Sequence, residues 1–286
     1  MSRPSRLAGL SSWAALLPFL LYLLVFLVVP TVTVVVGAFQ GANGFTLDNI
    51  AALFERTTLS VLWKSLVLSG VSSVVGAVLG AFLAYLIVLR PATSAFRRVV
   101  TAISGVLAQF GGVPLAFAFI ATLGFSGVLT QAAKDAVGID LFGSGWLYGL
   151  PGLILVYSYF QIPLMVIVFL PALDGVRPQW REAAVNLGAS TRQYWTQVAG
   201  PMLLPAFLGA TLLLFANAFA AYATAAVLVS QGNPILPLFI RTALTSEVLL
   251  GRENLAFALA FEMIVVVGIL MTAYSLLVRR TSRWLQ

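Results

Sequence analysis

The stretch WREAAVNLGASTRQYW, residues 180–195, is a polar segment with a helical pattern in a chain that is otherwise strongly apolar. Pro178, just before it, suits the first turn of an α-helix. Four apolar residues then recur at the spacing of one narrow helix face: Trp180, Ala183, Ala184 and Leu187. Because a helix this short has little reason to form alone in water, we expect this face to be covered by the chain itself, by lipid or by a partner.

Glycine and serine divide the segment into two helices. Gly188 is typical of a left-handed stop at a helix C-terminus, and Ser190 and Gln193 have the spacing of a capping box that opens a second helix. Gly200 and Pro201 are expected to end that second helix. The segment is therefore predicted to be a helix–turn–helix with a small apolar face.

Composition places the chain in a membrane. Of its 286 residues, 60% are hydrophobic and only 9% are charged, whereas soluble domains carry about 25% charged residues. Six segments are long and apolar enough to cross a hydrocarbon core about 30 Å thick: roughly residues 13–37, 61–89, 101–126, 148–172, 203–229 and 255–278. We therefore expect an all-α integral membrane protein with about six transmembrane helices.

The arginines orient these spans. With the N-terminus inside, the inside segments carry 11 basic groups against 2 acidic ones, and the outside segments carry 5 basic groups against 6 acidic ones. The positive-inside rule then predicts that both termini and the polar segment are cytoplasmic. No nucleic-acid partner is expected, because the arginines are scattered among the inside segments.

Several kinds of chemistry are excluded by the residue types. The sequence has no cysteine and no histidine, which removes disulfides, thiolate nucleophiles, histidine metal sites and Ser-His-Asp triads. The two lysines, Lys64 and Lys134, lie in no glycine-rich phosphate-binding motif. We therefore expect no catalytic residue, no metal site and no cofactor bound by this chain.

The third predicted span contains a break in mid-membrane. Gly111, Gly112 and Pro114 weaken its backbone hydrogen-bond ladder, and Gln109 lies beside them. Such a break is tolerated where it is buried in protein or lines a water-filled cavity. It is therefore either a harmless kink or part of a pathway wall.

Two more polar residues lie inside spans. Asn217 is near the middle of the fifth span, and like Gln109 it either bonds a neighbouring helix or lines a pathway. Glu262 is the one acidic residue inside a span, where an ionised carboxylate facing lipid is costly. It is expected either to bond a backbone or hydroxyl group on a neighbouring helix, or to face a translocation cavity and favour a cation over an anion.

The segment EAAVNLGASTRQYWTQVAGP, residues 182–201, resembles the EAA loop of permease subunits in binding-protein-dependent ABC importers. The matching positions are Glu182, Ala183, Ala184, Gly188, Ala189, Val198 and Pro201. Gly200 replaces the leucine that usually precedes the proline. GFTLDNIAALF, residues 44–54, resembles an extracytoplasmic Phe-Thr-Leu-x-Asn element of these permeases, and KSL, residues 64–66, stands where their core usually opens with Asn-Ser-Leu. The resemblance covers roughly residues 43–282.

This resemblance implies a type I ABC importer permease in a bacterial inner membrane. It implies a single permease domain over residues 1–286, with a conserved-type core at about 61–282 and a cytoplasmic coupling loop at about 173–202. In this family the EAA helix docks on a separate ATPase. The positions implied for that coupling are Glu182, Ala183, Ala184, Gly188, Ala189 and Pro201.

The partners implied are two copies of a cytoplasmic ABC ATPase that binds ATP and magnesium, a second permease subunit, homologous or identical, and an extracytoplasmic substrate-binding protein. The outside segment at residues 230–254 packs as a lid or contacts that binding protein. A cationic polyamine ranks first as substrate, a phosphonate second and ferric iron third. An ion-coupled secondary transporter is the alternative from another class.

Overall fold

The computed structural model describes residues 16–41, 44–91, 93–229, 235–245 and 254–282, with side chains described as far as Arg279. Six helices within these ranges are long and apolar enough to cross a membrane: Leu16–Ala38, Arg56–Val88, Val113–Val137, Leu150–Asp174, Thr191–Ala220 and Leu255–Arg279. The prediction of an all-α membrane protein with six spans is confirmed.

The described residues form two short strands and helices that range from four to 33 residues in length. Their order is α1 (Leu16–Ala38), β1 (Gln40–Gly41), β2 (Gly44–Phe45), α2 (Asp48–Leu53), α3 (Arg56–Val88), α4 (Ala95–Gln109), α5 (Val113–Leu123), α6 (Val128–Val137), α7 (Leu150–Asp174), α8 (Pro178–Asn186), α9 (Thr191–Tyr194), α10 (Gly200–Ala220), α11 (Ala223–Leu228), α12 (Leu236–Thr245) and α13 (Leu255–Ser282). β1 and β2 pair antiparallel. A π-helical turn, Trp195–Ala199, joins α9 to α10.

The chain forms two compact units. The first combines the residues up to Thr58 with Ile240–Val265, and the second combines Leu59–Phe239 with the residues from Val266 onward. The polar loop and the break near Gly112 lie in the second unit, and Glu262 lies in the first.

In the first unit, two asparagines bind the chain just after α1. Asn49 and Asn254 each donate from Nδ2 to the carbonyl of Gln40, at 2.8 and 2.7 Å. The ring of Phe39 meets that of Phe261 edge to face, with centroids 5.6 Å apart. Asn49 is the asparagine of the Phe-Thr-Leu-x-Asn element, so its position serves to fix the turn that follows the first span.

In the second unit, α3 packs closely on α7. A Cβ added to Gly76 would lie 2.6 Å from the Cβ of Gln161, and one added to Gly80 would lie 2.5 Å from the Ile162 carbonyl oxygen. Gln161 is fully buried. With its amide turned to satisfy both neighbours, Gln161 donates to the Leu214 carbonyl and accepts from Ser72 Oγ, each at 3.0 Å. One amide thus joins α3, α7 and α10.

The third predicted span is not one helix. The sequence predicts a span over residues 101–126, whereas α4 ends at Gln109 and α5 begins at Val113. Gly112 between them has φ of +76° and ψ of −147°, a conformation that is essentially restricted to glycine, so the helical ladder cannot pass through it. The predicted bounds are therefore wrong, but the predicted break is present.

The fifth span differs from prediction at its start. A helical path runs unbroken from Thr191 to Ala220, so the expected end of a helix at Gly200 and Pro201 is wrong. The π-turn lets the Gly200 N–H reach the Trp195 carbonyl, five residues back. Pro201 then falls in the first turn of α10, where a missing N–H costs little. The helix breaks instead after Ala220.

Candidate coupling loop and transport pathway

Helix α8 (Pro178–Asn186) has the predicted bounds and the predicted stop. Gly188 has φ of +79°. Its N–H donates to the Val185 carbonyl, and the Ala189 N–H donates to the Ala184 carbonyl, both at 2.9 Å. These two bonds define a Schellman motif, which needs a left-handed residue at the position of the glycine.

The second loop helix begins with the predicted capping box. The Ser190 N–H donates to Gln193 Oε1 at 2.7 Å, and the Gln193 N–H donates to Ser190 Oγ at 3.3 Å. Both orphan donors at the start of α9 are thereby satisfied. The stop and the cap together fix the turn between α8 and α9 with backbone and side-chain bonds of its own.

One side of α8 is covered by the loop itself. Ala184 is buried in a small cluster with Tyr194 and Ala199, because the turn brings α9 back across that side of the helix. The prediction of one shared apolar face is right only in part, since Ala183 is exposed and Leu187 is 87% exposed. An apolar edge of α8 is therefore left without cover from the described residues.

The predicted coupling residues divide into two groups. Four are exposed: Glu182, Ala183, Gly188 and Pro201. The other two, Ala184 and Ala189, pack within the loop. Glu182 forms no ion pair with a described residue, and Val185 on the same helix is 60% exposed. The outward surface of α8 thus combines one free carboxylate with bare aliphatic side chains.

Two helix breaks lie against each other in the second unit. Thr224, just after the break between α10 and α11, accepts from the Gly112 N–H at 2.9 Å and faces the Gly112 carbonyl at 3.3 Å. The hydroxyl of Tyr157 donates to the Ala221 carbonyl at 2.7 Å. Side chains thus satisfy backbone groups that the breaks free, as a low-dielectric environment requires. We call these four residues the paired break.

Gln109 and Asn217 precede the two halves of the paired break and are both exposed. Neither side chain makes a hydrogen bond with a described residue, so neither joins helices within the described part of the chain. Gly111, next to Gly112, is half-buried. No bond from these amides to a neighbouring described helix is present, and the lining of a pathway stays a prediction.

Glu262 is half-buried in α13, at helical spacing from the buried residues Leu255 and Leu259. Its Oε2 atom is buried and has no hydrogen-bond partner among the described residues. The expected bond from the carboxyl to a backbone or hydroxyl group is therefore absent for this oxygen. Glu262 is directed toward protein rather than toward open surroundings, as its cost in lipid requires.

Part of the outside segment is described. Ile235 is 2% exposed within the core of the second unit, and the Leu236 N–H donates to Ser65 Oγ at 2.7 Å. This part therefore packs on its own chain, as expected if the outside segment forms a lid. The rest of this segment, residues 230–234 and 246–253, lies outside the described residues.

Sequence reasoning does not identify Tyr157, Gln161 or Thr224. Each is a buried polar residue in an apolar segment, and each hydrogen-bonds another helix. The signal was available, because a polar group in a span needs a partner. The sequence does not indicate which group is the partner, because the partner of Tyr157 is 64 residues away in the chain and that of Thr224 is 112 residues away.

Residues 76–283 match the family described as the inner membrane component of binding-protein-dependent transport systems. The chain belongs to this family. The permease is accordingly a multi-pass inner membrane protein, and the loop recognised from its sequence lies inside the matched region.

Solved structures agree with this assignment at the level of the fold. The permease is similar to a chain of a bacterial ABC transporter involved in import of the acidic polysaccharide alginate, with a TM-score of 0.77, 19% identity and 96% of each chain covered. It also resembles a chain of an inward-facing methionine ABC transporter, with a TM-score of 0.57, 18% identity and coverage of 80% of the permease and 99% of that chain. The predicted type I importer permease fold is confirmed.

Related sequences come from several transport systems. A ferric transport system permease of Actinobacillus pleuropneumoniae is 26% identical over 219 residues, which are 75% of this permease and 31% of that protein. A spermidine/putrescine transport system permease of Haemophilus influenzae is 23% identical over 239 residues, 81% of each chain. The permease spans about a third of the length of the ferric relatives that it matches.

Proposed function

We propose that the permease forms the pathway of an ATP-driven importer and that α8 is its joint with a separate cytoplasmic ATPase. The observation that carries this proposal is the outward surface of α8, where Glu182, Val185 and Leu187 are exposed on a helix whose end is fixed by the Schellman turn. A short helix held in place by its own loop is suited to transmit a displacement, because it moves as one piece with α9 and α10.

The cycle follows from that joint. Two ATPase subunits bind ATP and magnesium, and their closure pulls the α8 helices of two paired permeases, which moves the pair from inward-facing to outward-facing. An extracytoplasmic binding protein delivers the substrate. The permease itself supplies the path and the mechanical link, and no step of ATP hydrolysis is assigned to its residues.

The paired break is the proposed moving part of the pathway. Gly112 and Thr224 hold two discontinuous helices together through side-chain bonds rather than through a continuous ladder. Discontinuous helices near the middle of a membrane are typical of substrate pathways. Gln109 and Asn217, exposed and unbonded beside the break, are the amides that a passing solute would meet.

A small cation is the favoured substrate, with a polyamine first. Glu262 supplies a carboxyl oxygen that no described residue satisfies, and such a group favours a positive charge. Relatives named for ferric, spermidine/putrescine and thiamine transport all handle positively charged solutes, which supports a cation over a phosphonate. Other similar proteins are named for solutes of different charge: starch degradation products for one relative, and the acidic polysaccharide alginate for a transporter of similar fold.

The test is whether the permease purifies with an ATPase and whether Glu182 governs that association. Glu182→Lys reverses a charge on the outward surface of α8 and is expected to weaken ATPase association. Asp135→Lys makes the same reversal at an exposed position on α6 and is expected to leave it unchanged. Transport by the isolated permease, driven by an ion gradient with no ATPase present, would show a secondary transporter instead.

A further inference from the structure

A cavity of about 440 Å³ opens where α3 and α7 end and the coupling loop begins. Four arginines line it: Arg90, Arg97, Arg177 and Arg181. Arg97 is paired with Asp174, the one acidic residue of the lining. The other three arginines make no hydrogen bond or ion pair with a described residue. The cavity therefore has an excess of positive charge that the described residues do not neutralise.

The cavity continues into an apolar groove of about 390 Å³. Four residues line both spaces: Tyr85, Leu173, Trp195 and Leu203. The groove then follows Phe82 and Phe169, within the membrane-spanning lengths of α3 and α7. The rings of Tyr85 and Trp195 meet edge to face with centroids 5.4 Å apart. Aromatic side chains of this kind favour the level of the lipid headgroups.

This combination of a basic cavity and an apolar groove points to one kind of ligand. Arg90 and Arg177 lie just past the ends of two spans, Val88 and Asp174, so the cavity is expected near the level of the lipid phosphates. Guanidinium groups bind phosphate oxygens through paired hydrogen bonds, and basic pockets between membrane helices on the cytoplasmic side accept anionic headgroups. A soluble anion would use the cavity alone, whereas a phospholipid uses the cavity and the groove together.

We propose that the cavity and groove bind one anionic phospholipid of the leaflet on the arginine-rich side. Its phosphodiester lies among Arg90, Arg177 and Arg181, and an acyl chain lies along Tyr85 and Phe82. Arg177 and Arg181 belong to the start of α8 and to α8 itself. If α8 is the ATPase joint proposed above, the lipid also ties that joint to the membrane, a consequence that rests on the proposed function.

Quenching by brominated lipids tests the site without any ATPase. The permease is reconstituted in phosphatidylcholine vesicles. Either brominated phosphatidylglycerol or brominated phosphatidylcholine is added over the same series of mole fractions, with the bromine on the acyl chain. The signal of Trp195 is the part of the quenching that Trp195→Phe removes. We expect brominated phosphatidylglycerol to quench Trp195 at the lower mole fraction. A phospholipid in the groove also predicts stronger quenching from a bromine near the glycerol than from one at the chain end.

Arginine variants separate a site from diffuse attraction. In Arg90→Gln/Arg177→Gln, the preference for phosphatidylglycerol should fall about 100-fold, at about tenfold for each lost hydrogen bond to a charged phosphate. Arg98→Gln/Arg192→Gln removes the same charge from residues outside the cavity lining and should keep the preference. If the first double variant does not assemble, Arg90→Gln alone should lower the preference about tenfold.

Three results would overturn the proposal. Wild-type permease with no preference for phosphatidylglycerol has no such site. Equal losses in the two double variants would mean that surface charge alone attracts the lipid. Loss of the preference when a co-purified ATPase is added would mean that the ATPase, and not a lipid, fills the cavity.

Discussion

Replacing Thr224 by valine removes the bond that holds the two helix breaks together while keeping the shape of the side chain. Thr224 is 2% exposed and accepts from the Gly112 N–H at 2.9 Å. In Thr224→Val this N–H has no other partner among the described residues, and an unsatisfied buried donor costs about 1–3 kcal/mol. For a chain of this size, each kcal/mol corresponds to about 2–4 °C in Tm. We therefore expect Tm to fall by about 2–12 °C.

The assay is thermal unfolding of the purified permease in a single detergent, with tryptophan fluorescence as the signal. Two control variants are measured in the same way. Thr224→Ser restores the hydroxyl and should recover most of the loss. Thr211→Val removes a hydroxyl that donates only to the Phe207 carbonyl, one turn back in α10, so it leaves no backbone donor unsatisfied and should change Tm little. If Thr224→Val and Thr211→Val have the same Tm, the hydroxyl of Thr224 does not hold the break.

Three further predictions concern coupling, substrate and topology. Gly188→Val should abolish uptake while the permease still reaches the membrane, because a β-branched residue resists φ of +79°. The control Gly138→Val has φ of +70° and equally open space around the residue, and it should retain uptake. Normal uptake by both variants would contradict the role of the stop at Gly188. Glu262→Gln should slow uptake of a cationic substrate and leave ATPase association intact; unchanged cation uptake would remove the reason for ranking polyamine first. Single cysteines in this naturally cysteine-free chain should react with an impermeant reagent from the cytoplasm at Ser190 and from outside at Ser246, and the opposite result at Ser190 would invert the topology.

The sequence is most informative where one local rule decides the conformation. The coupling loop is such a case, because Gly188 and the Ser190–Gln193 capping box act within four residues of themselves. The same reasoning fails at Gly200 and Pro201, where a π-turn carries the helix through a pair of residues that usually ends one. Local signals therefore predict helix ends well only when no neighbouring turn changes the register.

The pathway is less predictable, because its bonds join distant parts of the chain. Gly112 is visible as a weak point in the sequence, but its partner Thr224 follows it by 112 residues. In the sequence, Gln161 is a polar residue in an apolar span. Its hydrogen bonds to two other helices are apparent only in the folded structure. Which amides remain unbonded, as Gln109 and Asn217 do, is decided by this packing and not by residue type.

The proposed coupling requires contact between α8 and an ATPase, and site-directed photo-crosslinking measures that contact directly. Leu187→Cys places a benzophenone-maleimide on the residue that caps the C-terminus of α8, which is 87% exposed in the wild type. Val137→Cys places the same reagent at a 69% exposed position on α6. Illumination of the complex purified from the native membrane should join the ABC ATPase to the permease at position 187 and not at position 137, with the adduct identified by mass spectrometry. No ATPase adduct at 187 from a complex that still contains the ATPase, or equal adducts at both positions, would contradict the central claim.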